Sequence, residues 1–263
     1  MGTNRKGTGF RGLINRLSIK KDENNARAKN GARDVLLNEN TSFHVKEAYK
    51  AMRTNVMFSV PEEGCKVIAV TSAFPREGKS TTILNLAITF AQTGSRVLLI
   101  DADLRRPNVQ KTLDANAEEG LADVLARFAT IDSSIKKSQF ENLDIFYSGN
   151  IPPNPAELLA SKNMENLVEE LKKCYDYIFI DIPPVNVVTD ASVISRLTHG
   201  IILVTRQDIS KKYEVAEALN KLKFVNAKVL GLVLNDITFQ GKGKYGRYGK
   251  YKHYYAKEGY SYD

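Results

Sequence analysis

The stretch "AFPREGKST" (73–81) decides how the rest of this sequence is interpreted. It follows a short aliphatic run and precedes a run of helix-forming residues. A phosphate-binding loop has the pattern G-x-x-x-x-G-K-[ST] in this strand–loop–helix context. Gly78, Lys79 and Ser80 match the pattern, and Ala73 stands where its first glycine would be. The sequence therefore predicts a phosphate site at the start of a helix, with a chance match as the alternative.

The residue types in this stretch suit the binding of a nucleotide triphosphate. Gly78 lets the backbone approach the phosphates, and the helix start turns free N–H groups and a positive dipole end toward them. Lys79 can neutralise β- and γ-phosphate charge, and Ser80 can ligate Mg²⁺. The predicted nucleotide-binding residues of this stretch are Arg76, Glu77, Gly78, Lys79, Ser80 and Thr81.

Aliphatic runs alternate with amphipathic ones through the middle of the chain. The expected strands are 66–72, 96–103, 143–149, 176–184, 200–206 and 228–236, and the expected helices are 45–58, 79–94, 154–175 and 214–225. Continuous aliphatic strands alternating with helices are typical of a mostly parallel sheet covered on both faces. We therefore predict an α/β fold with a mostly parallel, doubly wound sheet of the P-loop NTPase type, and flexible N- and C-terminal segments.

Three aspartates follow the ends of predicted strands. Asp101 and Asp103 end "VLLIDAD", and Asp181 ends "YIFID". Residues i and i+2 of an extended chain point to the same side, and neighbouring carboxylates repel unless a cation or a proton joins them. Ligands of open parallel sheets bind outside the carboxyl ends of the strands. We expect all three aspartates to converge on the edge that carries Lys79, although any one of them could be a helix cap or turn former.

Hydropathy, cysteine spacing and charge narrow the possible classes of protein, and hydropathy counts against a membrane-spanning or secreted one. The longest aliphatic runs, 97–100 and 201–204, are too short to span a bilayer, and the first residues lack the apolar segment of a signal peptide. Cys65 and Cys174 lack metal-ligand spacing and are expected to be reduced thiols. The net charge of +8 is concentrated at the two ends of the chain. A basic end can bind nucleic acid, anionic lipid or an acidic partner, or can simply be solvated.

The last twenty residues hold most of the tyrosines. Of 12 in the chain, seven are Tyr245, Tyr248, Tyr251, Tyr254, Tyr255, Tyr260 and Tyr262. Glycines and basic residues interrupt them, and the aliphatic partners that would offset the entropy of ordering are lacking. We divide the chain into a basic flexible segment (1–40), a nucleotide-binding domain (41–238) and a tyrosine-rich tail (239–263). Such a tail is either a binding segment or a substrate.

The phosphate loop, the aspartate motifs and the tail together resemble the bacterial tyrosine kinases, the BY-kinases of capsule and exopolysaccharide synthesis. Further segments look like family segments in family order, namely "EAYKAMRTN" (47–55), "GLADVL" (120–125), "GNIPPNPAELL" (149–159) and "VTDASVI" (188–194). The resemblance covers residues from about 43 to 263.

The resemblance implies ATP-dependent phosphorylation of protein tyrosines with Mg²⁺, first on the seven tail tyrosines as phosphoacceptors. The implied catalytic residues are Lys79, Asp101, Asp103 and Asp181. By analogy Ser80, Asp101 and Asp181 organise Mg²⁺ directly or through water, and Asp103 orients or deprotonates the phenol. The division of roles between Asp101 and Asp103 stays open. Asn235 is expected near adenine, since related ATPases use a strand-end asparagine there; a simple turn residue is the alternative.

The resemblance also implies partners. The family's oligomer motif is E-x-x-R-x-x-R; Glu47 and Arg53 match it, while Lys50 replaces the first arginine and loses its bidentate fork. A ring-like homo-oligomer, an octamer in the family form, is expected, with a solvated helix face as the alternative. A transmembrane polysaccharide co-polymerase adaptor and a counteracting tyrosine phosphatase are further implied partners, and no nucleic acid is expected. The expected location is cytoplasmic, at the inner face of the membrane through the adaptor.

Two other functions fit parts of the sequence. Switch ATPases of the septum-positioning and plasmid-partition type share the fold and the aspartates. They usually carry a second lysine early in the phosphate loop, where this chain has Phe74. A non-catalytic scaffold could use the basic ends and the tyrosines for binding alone. The intact lysine and aspartates of the predicted site count against it.

Overall fold

The structure is a computed structural model that describes residues 36–237. The first 35 residues and the chain from residue 238 onward lie outside the described residues. The predictions for the flexible segment up to residue 35 and for the seven tail tyrosines therefore lie outside them as well.

The secondary structure alternates along the described chain. The strands are β1 (Lys66–Ser72), β2 (Val97–Asp101), β3 (Ile135–Lys137), β4 (Leu143–Phe146), β5 (Tyr177–Asp181), β6 (Gly200–Arg206) and β7 (Val229–Asn235). The α-helices are α1 (Phe43–Ser59), α2 (Lys79–Ala91), α3 (Val109–Thr112), α4 (Leu121–Leu125), α5 (Ile131–Ser134), α6 (Pro155–Leu159), α7 (Lys162–Leu171), α8 (Asp190–Ile194) and α9 (Lys212–Phe224). A 3₁₀ turn spans Ser195–Leu197.

The strands form one sheet in the order β3-β4-β2-β5-β1-β6-β7. All neighbouring strands run parallel except β3, which pairs antiparallel with β4 at one edge. The predicted mostly parallel α/β fold is confirmed. The central strands β1, β5 and β2 are buried on both faces, which is why they read as continuous aliphatic runs in the sequence.

Two hydrophobic cores lie on opposite faces of the sheet because successive side chains of a strand alternate. On one face, Ile68 and Phe179 pack with Phe90 of α2, whose ring centroid lies 5.2 Å from that of Phe179. On the other face, Val67 and Ile178 pack with residues of α6 to α9. The sheet is therefore covered on both sides, as a doubly wound sheet requires.

Several predicted boundaries were wrong. The single helix expected over 154–175 is two helices, α6 and α7, because the Ser161 hydroxyl accepts the N–H of Met164 at 3.3 Å and starts a new helix. β2 and β5 end at their aspartates, earlier than predicted, where the chain leaves the sheet. The predictions omitted β3, which has only three residues, two of them exposed lysines.

The expected flexible segment, 1–40, also extends too far. Leu36 and Leu37 are buried in the core beneath α1 and α2. The Leu37 N–H donates to Oδ1 of Asn85 at 2.8 Å. The folded part therefore includes residue 36. Leu36 and Leu37 follow Val35 in a three-residue apolar run between polar residues, which is too short to give a periodic signal, so sequence patterning could not place them in a core.

Other expectations concern membranes and thiols. Among the helices of residues 36–237, none has the length and apolar character needed to cross a membrane. Cys65 is half-buried and Cys174 is exposed, and both are free thiols.

Candidate active site

The loop between β1 and α2 has a sharply turned backbone. Gly78 adopts φ 93° and Arg76 φ 70°, both in the left-handed region. A Cβ on Gly78 would collide with the side-chain amide of Asn235 at the end of β7. The Asn235 amide donates to the carbonyl oxygen of Glu77 at 3.1 Å. Glycine is therefore required here both for its backbone freedom and for the close approach of a second strand.

The ends of β6 and β7 hold this loop from one side. Glu77 is buried, and its carboxylate accepts from the Ser210 hydroxyl. Arg206 donates to the carbonyl oxygen of Arg76 at 3.2 Å and pairs with Asp236 at 2.6 Å. We call Arg206, Ser210, Asn235 and Asp236 the loop brace. It fixes the backbone of the phosphate loop to the sheet.

Lys79 begins α2 and is buried beneath the loop. Its Nζ lies 2.9 Å from Oδ2 of Asp103 and 3.1 Å from Oδ1 of Asp181. It also lies 3.3 Å from the Ser80 hydroxyl. The structure thus brings together the lysine, the serine and two of the three aspartates singled out in the sequence. Of the other loop residues, Arg76 is exposed and Thr81 is half-buried.

Asp101 and Asp181 are directly opposite each other in the register of β2 and β5. Both are fully buried. Burial and the charge of Asp181 raise the pKa of Asp101 well above its usual range. Burial also raises the pKa of Asp181, although the charge of Lys79 opposes the change. Burial alone would lower the pKa of Lys79, but the charges of Asp181 and Asp103 outweigh it and raise that pKa.

The arrangement fits a divalent cation that bound phosphates help to hold. Oδ2 of Asp181 is buried and has no hydrogen-bond partner, and the Ser80 side chain hydrogen-bonds Asp181. Asp101 accepts the N–H groups of Asp103 and Val109 at 3.2 and 3.1 Å, so it suits a role through water. Residues 36–237 contain no cluster of three or more acidic, His or Cys side chains that could hold a metal ion. Mg²⁺ commonly takes one or two carboxylates and completes its shell with phosphate oxygens and water.

Sequence reasoning missed one ion pair beside this site. Arg105 contacts the fully buried Asp190 of α8 through two hydrogen bonds of 2.9 and 3.1 Å. Arg105 follows Asp103 by two residues, and α8 follows the loop that begins after Asp181. The pair therefore ties together the two loops that follow Asp103 and Asp181. The segment "VTDASVI" carries only a family resemblance in the sequence, and no spacing rule pairs it with Arg105.

We expect Arg105→Ala to lower the free energy of unfolding by about 1–3 kcal/mol, because it leaves a buried carboxylate without its donor. Water can reach the partly exposed arginine site, which limits the loss. Urea unfolding measures the change. Arg96→Ala is the matched control, since Arg96 and Asp176 form a similar pair in which both side chains are exposed; its cost should be clearly smaller, because solvent screens an exposed ion pair. Equal costs for the two variants would contradict the argument.

Gly78→Ala is expected to weaken nucleotide binding at least about tenfold, or 1.4 kcal/mol. Its Cβ would displace Asn235 from the carbonyl oxygen of Glu77 and strain a left-handed backbone. Gly64 is a matched control because it also has positive φ, 77°, but a Cβ there would meet nothing within 4 Å. Gly64→Ala should cost about 1–2 kcal/mol of stability and leave nucleotide affinity unchanged. Calorimetric titration with Mg-ADP measures the nucleotide affinity of both variants. Equal affinities would contradict the expected effect of a Cβ at Gly78.

The predicted oligomer motif lies on α1. Lys50 pairs with Glu47 at 2.7 Å on an exposed surface. Arg53 instead donates to the carbonyl oxygen of Thr89 in α2 at 2.7 Å. Within one chain, the arginine therefore joins α1 to α2, while the other two side chains remain accessible.

The AAA domain family profile matches residues 65–230, which contain strands β1 to β6 and the first two residues of β7. The chain is 40% identical over 203 residues to the tyrosine-protein kinase YwqD of Bacillus subtilis, covering 77% of this chain and 86% of the relative. It is 34% identical over 212 residues to the tyrosine-protein kinase wzc of Salmonella typhimurium, covering 81% of this chain but 29% of that longer protein.

Solved structures also show a similarity to tyrosine kinase domains. The kinase domain of Escherichia coli tyrosine kinase ETK superposes with a TM-score of 0.72 at 32% identity, covering 76% of this chain and 78% of that one. The septum site-determining protein MinD of Pyrococcus horikoshii, complexed with Mg-ADP, gives a lower TM-score of 0.57 at 28% identity, covering 68% and 72%. The switch-ATPase fold is thus similar but more distant. From its AAA domain and its identity to YwqD over most of that enzyme, the chain belongs to the family of bacterial tyrosine-protein kinases.

Proposed function

We propose that this protein-tyrosine kinase transfers the γ-phosphoryl group of ATP first to the tyrosines of its own tail, and that it regulates capsule or exopolysaccharide synthesis. The observation that carries the proposal is the position of Lys79. Its Nζ lies between the carboxylates of Asp103 and Asp181, at the N-terminus of α2. A cation and two carboxylates at a helix start suit the binding and transfer of a phosphoryl group.

The residues of the site would divide the reaction as follows. The phenol oxygen attacks the γ-phosphorus, and the bond from that phosphorus to the β,γ-bridging oxygen breaks to release ADP. Lys79 would shift from Asp103 toward the phosphates and neutralise their charge. Asp103, released from the lysine, would orient the phenol and accept its proton. Arg76, Glu77, Gly78 and Thr81 would line the phosphates through the loop and the helix start, and Asn235 would lie near adenine.

Mg²⁺ is the proposed cofactor. Asp181 and Ser80 would hold it, and Asp101 would act through a water molecule. A bound Mg²⁺ neutralises charge on the β- and γ-phosphate oxygens. The unpartnered Oδ2 of Asp181 supports this assignment, because a buried lone carboxylate oxygen is costly without a cation or a proton. The Mg-ADP named for the MinD complex supports a nucleotide with magnesium on this fold.

The proposed partners are a second copy of the chain, a transmembrane adaptor and a tyrosine phosphatase. The exposed Glu47–Lys50 pair on α1 is available for contacts between subunits in a ring, with Arg53 beside it. The wzc kinase supports the adaptor, since the part that matches this chain is 29% of a longer protein. An adaptor of this kind would bring the kinase to the inner face of the membrane.

Mass spectrometry of the full chain after incubation with Mg-ATP tests the proposal, with Lys79→Met in parallel. We expect phosphate on the tail tyrosines of the wild type and none on the variant. The measurement is repeated with the adaptor's cytoplasmic segment, which should increase the signal. ATP consumption without phosphotyrosine under both conditions would instead favour a switch ATPase, and binding without consumption would favour a scaffold.

A further inference from the structure

Tyr213 differs from the other tyrosines of the described chain in its exposure. Its side chain lies on the surface, and the residue is 64% exposed. The others are buried or half-buried, namely Tyr49, Tyr147, Tyr175 and Tyr177. The Tyr213 hydroxyl has only surface contacts, with Oε1 of Glu214 at 3.2 Å and Nζ of Lys211 at 3.5 Å. No core contact has to break for this phenol to reach another molecule.

Tyr213 also lies close to the nucleotide site of its own chain. It is the second residue of α9. The loop before it contains Ser210, whose hydroxyl contacts Glu77 of the phosphate loop. The first turn of α9 is tied to the loop after β5, since the Asn186 amide donates to the carbonyl oxygen of Glu214 at 2.8 Å. Tyr213 therefore lies at the carboxyl edge of the sheet, the edge that carries the phosphate loop.

The sequence around Tyr213 resembles that of the tail. A basic residue or histidine directly precedes four tail tyrosines, in Lys244–Tyr245, Arg247–Tyr248, Lys250–Tyr251 and His253–Tyr254. Lys212 precedes Tyr213 in the same way. The four other described tyrosines follow Ala, Phe, Cys or Asp. Outside the tail, Tyr213 therefore combines exposure with the local sequence of the proposed acceptors.

From these observations we infer that Tyr213 is a further phosphoacceptor of this kinase, modified by a neighbouring subunit. The inference rests on the proposed transfer to tyrosine. The Tyr213 phenol oxygen forms a bond to the γ-phosphorus of the neighbour's ATP, the β,γ-bridging bond breaks with release of ADP, and the phenol proton passes to the neighbour's carboxylate. We assign the transfer to a neighbouring subunit because buried Ala218 and Leu222 anchor α9 to the sheet, so that Tyr213 moves with its own domain rather than independently of it.

Phosphorylation would change the charge at the start of α9. The new group carries about −1.5 to −2 and would lie beside Lys211 and Lys212, which favour it, and beside Glu214, which repels it. Glu214 now accepts the backbone N–H of Lys211 at 3.2 Å. The modification would therefore act on the short segment between α9 and Ser210, which is a member of the loop brace.

The experiment mixes two full-length chains. The enzyme is the wild type, and the substrate is a nitrogen-15-labelled Lys79→Met chain in which all seven tail tyrosines are Phe. After incubation with Mg-ATP, mass spectrometry should find phosphate on the labelled Tyr213 peptide. Adding Tyr213→Phe to the substrate should abolish that signal, whereas Tyr175→Phe, which removes a hydroxyl bonded to Asp144, should leave it unchanged. A second substrate with Asp103→Asn in place of Lys79→Met guards against misfolding of the first.

The outcomes separate the two proposals. Phosphate on the wild-type tail, with Tyr213 unmodified in both substrates and in the wild type, would overturn this inference and leave the proposed function intact. Phosphate on Tyr213 of the wild type alone would overturn transfer between subunits. The third outcome is that neither the tail tyrosines nor Tyr213 of the wild type carry phosphate when the adaptor segment is present. It would overturn the proposed function and this inference with it.

Discussion

Lys79→Met is expected to slow phosphoryl transfer by about 10³- to 10⁵-fold, the range for a cation that stabilises the transferring phosphoryl group, because it removes a fixed positive charge from the place where transition-state charge develops. In the described structure the lysine contacts two carboxylates, and a nucleotide's phosphates would compete with them for its ammonium group. The initial rate of phosphotyrosine formation at saturating Mg-ATP measures the loss. The nucleotide-free variant should also unfold at lower denaturant, since Asp103 and Asp181 lose their buried counter-charge.

The control for this prediction is Lys162→Met. Lys162 also pairs with a carboxylate, Glu165 at 2.6 Å, but on an exposed surface of α7. Its removal should leave the transfer rate unchanged and alter the free energy of unfolding by less than about 1 kcal/mol. A Lys79 variant that transferred phosphate at the wild-type rate would remove this residue from the mechanism.

Asp103→Asn is expected to slow transfer by about 10²- to 10⁴-fold, the range for loss of a positioned general base. The amide keeps the shape of the side chain, and its oxygen can still accept the N–H of Arg106, which now donates to Oδ1 at 3.1 Å. The variant should therefore retain its loop conformation and its affinity for Mg-ADP. Separate measurements of nucleotide affinity and of transfer at saturating ATP would show this division.

Asp132→Asn, on the exposed surface of α5, serves as the control and should change neither quantity. If Asp103→Asn weakened nucleotide binding and left the maximal transfer rate intact, Asp103 would be a nucleotide-binding group instead. The base would then have to be sought elsewhere at the edge of the sheet, with Asp101 the next residue to test.

Sequence patterning predicted those parts of the fold that depend on local signals. The runs that became β1 and β6 have the predicted bounds because each is continuously aliphatic between polar flanks. The contact of Lys79 with Asp181 was also foreseeable, since parallel strands end at one edge of a sheet. The order of the strands was not deduced, because parallel neighbours leave no pairing signal in the chain.

The remaining features depend on contacts between distant residues. Glu77 was singled out for its place in the loop, but nothing in the sequence pairs it with Ser210, 133 positions away. Arg105 and Asp190 are 85 positions apart and meet only because β2 lies beside β5. The break between α6 and α7 was missed because helix-forming residues stand on both sides of Ser161, whose capping role became evident only from its bond to Met164.

The loop brace sets a limit on where this chain tolerates shortening or insertion. Asp236 is its last member, and the first proposed acceptor, Tyr245, follows only nine positions later. A chain cut after Ile237 keeps every bond of the brace, whereas one cut after Leu234 loses Asn235, Asp236 and with them two supports of the phosphate loop. Changes of length beyond Ile237 leave the loop brace intact, while changes a few residues earlier alter the nucleotide site. The boundary between the nucleotide-binding fold and the tail should therefore fall within these few residues.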